Sequence, residues 1–189
     1  MKAIATITII LIFTLIGYGQ TKFEREYSIR EGEVPAPALE LVSNLPLNKV
    51  KWFAEESQDG KTVEAKFKFR REQHSVEFDS LGTLLDAEIV IPCDRIPEKT
   101  QRAFLFELDQ MFDHYKIRKI QKQYITETAD MMVVLLQGDE SIPHEKNYEM
   151  IIKGSKDGEV KLFEITFDHS GRLLDKKAIT FSTSDHLEY

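Results

Sequence analysis

Between Val63 and Phe69 the chain alternates strictly: Val63, Ala65, Phe67 and Phe69 share one side of a period-two pattern, and Glu64, Lys66, Lys68 and Arg70 share the other. Such alternation predicts a half-buried strand with one apolar and one charged face. Upstream, Phe23, Tyr27 and Ile29 suggest a strand over 22–30, and Ala38, Leu41, Val42 and Leu45 recur at helical spacing. That stripe predicts a helix opening at Pro35, a residue tolerated at a first helical position because its missing N–H has no intrahelical partner there, and ending at Leu45-Pro46. Further short strands are predicted over 51–55 and 74–78, with another from Thr83 to Ile91. Phe104, Leu108, Met111, Phe112 and Tyr115 predict a second, longer helix from Pro97 to about Tyr115. The continuous apolar run Met131 to Leu136 suggests a strand buried on both faces, and strands follow over 148–153, 160–167 and 173–181.

Within this pattern one segment occurs twice. Phe78-Asp79-Ser80-Leu81-Gly82-Thr83-Leu84-Leu85-Asp86 returns 89 residues later as Phe167-Asp168-His169-Ser170-Gly171-Arg172-Leu173-Leu174-Asp175. Asp at the first position of a turn bonds forward to the backbone, and Gly supplies a left-handed residue at low steric cost, so Asp79 and Asp168 read as turn formers rather than catalytic carboxylates. A simple hairpin sets Phe78 opposite Thr83, Val76 opposite Leu85 and His74 opposite Ala87, with Phe167 opposite Arg172 and Ile165 opposite Leu174. Val34-Pro35 and Ile96-Pro97, each opening a helical pattern, extend the correspondence.

These residues resemble the PepSY-like, or beta-lactamase-inhibitor-like, proteins of bacterial envelopes. The likeness lies in Val34-Pro35 before an amphipathic helix, the Val50-Lys51-Trp52 strand and the twice-used Phe-Asp-x-x-Gly-x-Leu-Leu hairpin. It implies an α+β fold of two tandem units, each an antiparallel β-meander with one helix packed on one face. The first would span 20–92 and the second 93–189, with an insertion near 128–147. It also implies an exported, non-enzymatic protein that binds or inhibits other proteins.

Ala3 to Ile16 form an apolar run behind Lys2, and Gly17-Tyr18-Gly19 supplies small residues before Gln20, the pattern of a secretory signal over 1–19 cleaved near Gly19/Gln20. The run is shorter than the roughly 20 residues that span a bilayer, so no stable membrane insertion is expected after cleavage into the periplasm or the exterior. The remaining 170 residues carry 24 basic against 32 acidic side chains. That balance argues against a nucleic-acid partner, which needs clustered Lys and Arg to displace counterions. Cys93 is the sole cysteine, which excludes an intrachain disulfide.

No spacing of His, Cys, Asp or Glu marks a metal or cofactor site, and no nucleophile motif appears. His74 shares the apolar face of its strand and reads as a core-edge ring; Cys93 reads as a small buried hydrophobe. The remaining candidate is the open, charged sheet face of Glu64, Lys66, Lys68 and Arg70, joined by Glu77, Leu84, Asp86 and Glu88, as a surface for an envelope or extracellular protein. The alternative is a carrier of small apolar ligands, with a cavity between helices and sheet lined by Phe67, Phe69, Phe104 and Phe112.

Overall fold

A computed structural model describes residues 20–57, 60–125 and 144–181. Nine strands occur in them: β1 (Gln20–Ile29), β2 (Val50–Ser57), β3 (Gly60–Phe69), β4 (Glu72–Asp79), β5 (Leu84–Val90), β6 (His114–Ile125), β7 (Glu145–Lys156), β8 (Glu159–Asp168) and β9 (Leu173–Phe181). Two helices join them, α1 (Ala36–Ser43) between β1 and β2, and α2 (Glu98–Met111) between β5 and β6.

The strands pair in sequence order into one closed barrel. Every pairing is antiparallel except the seam, where Gln20–Glu24 of β1 run parallel to Lys177–Phe181 of β9. This corrects the expected fold of two tandem α+β units. β5 pairs with β6 from Asp86↔Ile125 to Val90↔Gln121, so the halves share one continuous ladder instead of forming separate meanders. The strand that makes this junction, β6, is absent from the sequence expectation, which carried helix as far as Tyr115. The chain instead leaves α2 at Met111, Phe112 is already extended, and Tyr115 lies in β6. A bulge explains the misreading: the register shifts between Ile117 and Lys119, so Ile117 and Ile120 face Ile152 and Met150 on the same side despite their helix-like spacing of three. The expected strand Met131 to Leu136 lies outside the described residues.

A helix with its side chains is about 10 Å across, and a barrel of about eight strands has room inside for side chains or one small ligand. Both helices must therefore pack outside the ring, and the apolar faces of the strands turn outward beneath them. Ala38 and Val42 of α1 pack with Trp52, Val63, Ala65, Phe67, Val76 and Phe78. Phe104 and Leu108 of α2 pack with Ile120, Tyr148, Met150, Ile152, Ile165 and Phe167 in a second cluster.

The duplicated hairpin seats each helix. Asp79 Oδ1 accepts the N–H groups of Leu81 and Thr83, both at 2.8 Å, and Asp168 Oδ1 accepts those of Ser170 at 2.8 Å and Arg172 at 3.0 Å. The glycines that complete the turns have φ of 87° at Gly82 and 90° at Gly171. A Cβ at Gly82 would stand 3.0 Å from Ala38 N and Pro35 Cβ; at Gly171 it would stand 2.6 Å from the Thr100 carbonyl oxygen and 2.8 Å from Ala103 Cβ. Thr100 Oγ1 also donates to the His169 carbonyl at 3.0 Å, tying α2 to its turn. Beyond each turn a bulge shifts the expected register, pairing Phe78 with Leu84, Val76 with Ala87 and His74 with Ile89, and likewise Phe167 with Leu173 and Ile165 with Lys176. The extra residue falls at Leu85 and Leu174, both exposed.

Gly158 provides a control, since it has φ of 81° but nothing stands within 4 Å of where its Cβ would lie. Gly158→Ala should cost only the left-handed strain, about 1–2 kcal/mol, whereas Gly171→Ala should cost clearly more because the methyl meets the backbone of α2. Urea unfolding of both variants measures the difference; equal losses would remove the helix contact from the account.

Candidate functional site: the inward polar face

The face turned away from both helices is polar across most of the ring. Cross-strand pairing sets out its rows: Glu64, Glu77, Asp86 and Ile125 form one, and Lys66, Ser75, Glu88, Gln123 and Asn147 the next. Gln121 and Glu149 follow on β6 and β7.

Closure of the ring turns the face expected to lie open into its inner wall, and the four residues singled out from the sequence divide between that wall and its rim. Glu64 and Lys66 are an inward ion pair: Lys66 Nζ lies 3.0 Å from Glu64 Oε2 and 2.9 Å from Glu26 Oε1, and its ammonium stands 4.8 Å above the Phe53 ring. Desolvation lowers the Lys66 pKa, but the Glu64 and Glu26 charges outweigh it and the net shift is upward. Lys66 and Glu26 keep 38% and 37% of their side chains in solvent, so the interior is open to water beside β1 and β3. Lys68 is exposed further along the same face. Arg70 is not on the sheet; it occupies the β3–β4 turn with Arg71, its guanidinium 5.2 Å from the Phe69 ring centroid.

The sequence drew Glu77, Leu84, Asp86 and Glu88 to this face; the bulge after the turn instead pairs Leu84 with Phe78 and packs it in the α1 cluster. It gave no sign of Gln121, Gln123 and Asn147, which sit on or beside the unrecognised β6. Gln123 Nε2 donates to Asp86 Oδ2 at 2.9 Å, Ser75 Oγ donates to Glu88 Oε2 at 3.2 Å, and Gln121 Nε2 donates to the same Glu88 oxygen. Asn147 Nδ2 donates to Glu145 at 3.1 Å and to Gln123 Oε1 at 3.4 Å. Gln121 and Asn147 are only 4% and 3% exposed, yet Gln121 Oε1 and Asn147 Oδ1 have no hydrogen-bond partner. Burial, followed by the charges of Glu77 and Glu149, pushes the Asp86 carboxyl up to about 8; burial and then the Asp86 charge push Glu88 up to about 8, against a smaller opposing pull from Lys119. The two therefore titrate as a pair and hold protons near neutrality.

The other candidates are structural. His74 is buried, stacked on Phe67 with centroids 5.5 Å apart, and Nδ1 lies 3.2 Å from the Glu72 carbonyl oxygen; burial lowers its pKa and keeps the ring neutral. Cys93 donates to Gln101 Oε1 at 3.6 Å, and burial followed by the Asp94 charge raises its pKa, which disfavours the reactive thiolate. Phe67 and Phe69 belong to the α1 cluster, and Phe104 and Phe112 to the α2 cluster, so the four rings do not line a common cavity. Among the described residues no three of His, Cys, Asp and Glu converge to hold a metal ion, and no helix is long and apolar enough to cross a membrane.

The raised carboxyls set a sign for pH dependence. The unfolded chain loses these protons near pH 4 and the folded chain near pH 8, so within that window the folded state binds more protons and stability falls as pH rises. Asp168 acts in the opposite sense: burial raises its pKa, but bonds from Ser170 and Arg172 bring it down to about 2, giving stability that is lost as pH falls through that value. The thermal midpoint should therefore drop between about pH 5 and pH 8.5, and Asp86→Asn/Glu88→Gln should remove most of that drop. Calorimetry at matched ionic strength reads both slopes; parallel slopes would place the protons elsewhere.

The chain is similar in fold to a DUF2874 family protein from Bacteroides ovatus, with 16% identity, a TM-score of 0.52, and 83% of this chain and 94% of that one covered. A protein from Bacteroides eggerthii, provisionally described as periplasmic, aligns over 77% of this chain and 88% of its own at 13% identity and a TM-score of 0.49. No family model matches the chain, and no curated protein does. At such identities the likeness to the Bacteroides ovatus protein concerns the fold alone.

Proposed function

We propose that this is an exported, non-enzymatic binding or inhibitory module that engages an envelope or extracellular protein through the basic rim of the ring and the mouth of its charged inward face. The observation that carries this reading is the β3–β4 turn. Arg70 and Arg71 have φ of 49° and 72°, the conformation of a two-residue turn that favours Asn-Gly, whereas the β7–β8 turn meets the same demand with Asp157-Gly158 at 52° and 81°. A left-handed position costs an ordinary residue about 1–2 kcal/mol, so two exposed arginines held there are costly for the fold. Strain retained at an exposed charged corner points to recognition. The export pattern at the N-terminus and the PepSY-like motifs favour the same class.

A variant that relieves the strain separates fold from function. Arg70→Asn/Arg71→Gly should raise stability by about 1–3 kcal/mol, yet reduce recovery of the partner by about tenfold in cross-linking of intact cells followed by mass spectrometry. Lys68→Glu/Arg70→Glu, which spares the Lys66 ion pair, should reduce recovery as strongly, and so should Lys66→Glu/Lys68→Glu/Arg70→Glu. Equal recovery by wild type and every variant would remove this face from the function.

A further inference from the structure

Gln121 and Asn147 each bury an amide oxygen with nothing to accept from, on a face where carboxyl groups are the neighbours. The cost of leaving one such group unpaired is about 1–3 kcal/mol. Turning the Gln121 amide over does not remove the problem, because the nitrogen would then lose Glu88 and stand unpaired in place of the oxygen. Once Asp86 and Glu88 give up their protons they only accept, and what is then missing is a donor.

The pairing pattern places these oxygens close together. Gln121 faces Glu149, two residues from Asn147 on the same face of β7, and Glu88 faces Gln123, two residues from Gln121 on β6. Diagonal neighbours of this kind are roughly 7–8 Å apart at Cα. The patch thus spans β5, β6 and β7, with Asp86 and Glu88 at one side and the two amide oxygens at the other. Glu64 and Glu77 lie alongside on β3 and β4. Lys66, on the same face, is already held by Glu26 and Glu64, and Lys119 acts on Glu88 through its charge.

The complement of such a patch is positive and donates several hydrogen bonds over a distance. Among the described residues no three of His, Cys, Asp and Glu converge within one coordination sphere, and the acceptors of this patch are spread over three strands. An ammonium is a compact point donor, whereas a guanidinium presents five N–H groups on a planar fork and is more weakly hydrated, so it spans separated acceptors and enters a partly desolvated site more readily.

We propose that the inward face binds an arginine side chain of the protein partner, its guanidinium donating to Asp86, Glu88 and the amide oxygens of Gln121 and Asn147. This rests on the binding role assigned above and identifies the chemistry of the group that the partner presents. The arginine enters where Lys66 and Glu26 already meet solvent. Its charge favours ionisation of Asp86 and Glu88, so binding near neutral pH releases protons and tightens as pH rises.

The probe is N-acetyl-arginine amide, with N-acetyl-citrulline amide as the uncharged counterpart of nearly the same shape, titrated into isotopically labelled protein while the side-chain amide signals of Gln121 and Asn147 are followed by NMR. The arginine probe should shift both signals saturably, with the citrulline probe roughly tenfold weaker, and Asp86→Asn/Glu88→Gln should weaken the arginine response to a similar degree. Gln121→Ala supplies the same loss should the double variant fail to fold. Absence of saturation, or equal responses to both probes, overturns the proposal. Cross-linking in cells separates the two claims. If wild type and Asp86→Asn/Glu88→Gln recover a partner equally, the arginine site is wrong while the binding role stands. If the probe binds but wild type recovers no partner, the assignment to a protein's arginine is overturned together with the binding role.

Discussion

Closing nine strands into a ring forces one face of every strand inward, and a ring of this size has no room within it for either helix. The large apolar side chains that the helices cover must accordingly point outward, and the opposite face is left to Glu64, Lys66, Asp86, Glu88, Gln121 and Asn147. Polar groups placed there lose water without a helix or apolar layer to replace it. Their alternatives are pairing, as Lys66 does with Glu26 and Glu64, or neutralisation, as Asp86 and Glu88 do by holding their protons. Gln121 Oε1 and Asn147 Oδ1 achieve neither. The arginine site proposed for this face follows from that imbalance between acceptors and donors.

The outer layer is set by a different contact. Each helix is short, α2 having 14 residues and α1 8, and neither would be stable alone. Each is held where its first turn meets a left-handed glycine, Gly82 for α1 and Gly171 for α2, with Phe78 and Phe167 fully buried nearby in the same hairpins. Truncating either phenylalanine would cost about 3–5 kcal/mol, a large part of the stability of a domain this size. The recurrence of Phe-Asp-x-x-Gly therefore reports a repeated way of docking a helix on a sheet. It does not report two separate folding units, because the ladder passes from β5 to β6 without a break.

What the sequence discloses follows the strength of its periodicities. β3 alternates without exception and both helix starts are marked by Pro, so these elements were legible, as were the turn roles of Asp79 and Asp168 and the packing role of His74. β6 was not. Its Ile117 and Ile120 are three apart because of a bulge, and its inward residues are glutamines that look like a solvated surface. Losing β6 meant losing the join between the halves, and with it the closed ring. It also hid half of the candidate site, since Gln121 and Gln123 lie on that strand and Asn147 pairs with it. The charged face was legible from β3 as far as Lys68, whereas Arg70 passes into a turn that no glycine or asparagine announced.

The most direct test of the inward polar face is the titration of its carboxyl groups, followed by the side-chain carboxyl carbon signals of Asp86 and Glu88 in labelled protein. The account predicts that the pair begins to ionise only near neutrality, with midpoints at about 8. Midpoints near 4, the range of ordinary solvated carboxylates, would contradict it and return this face to open water.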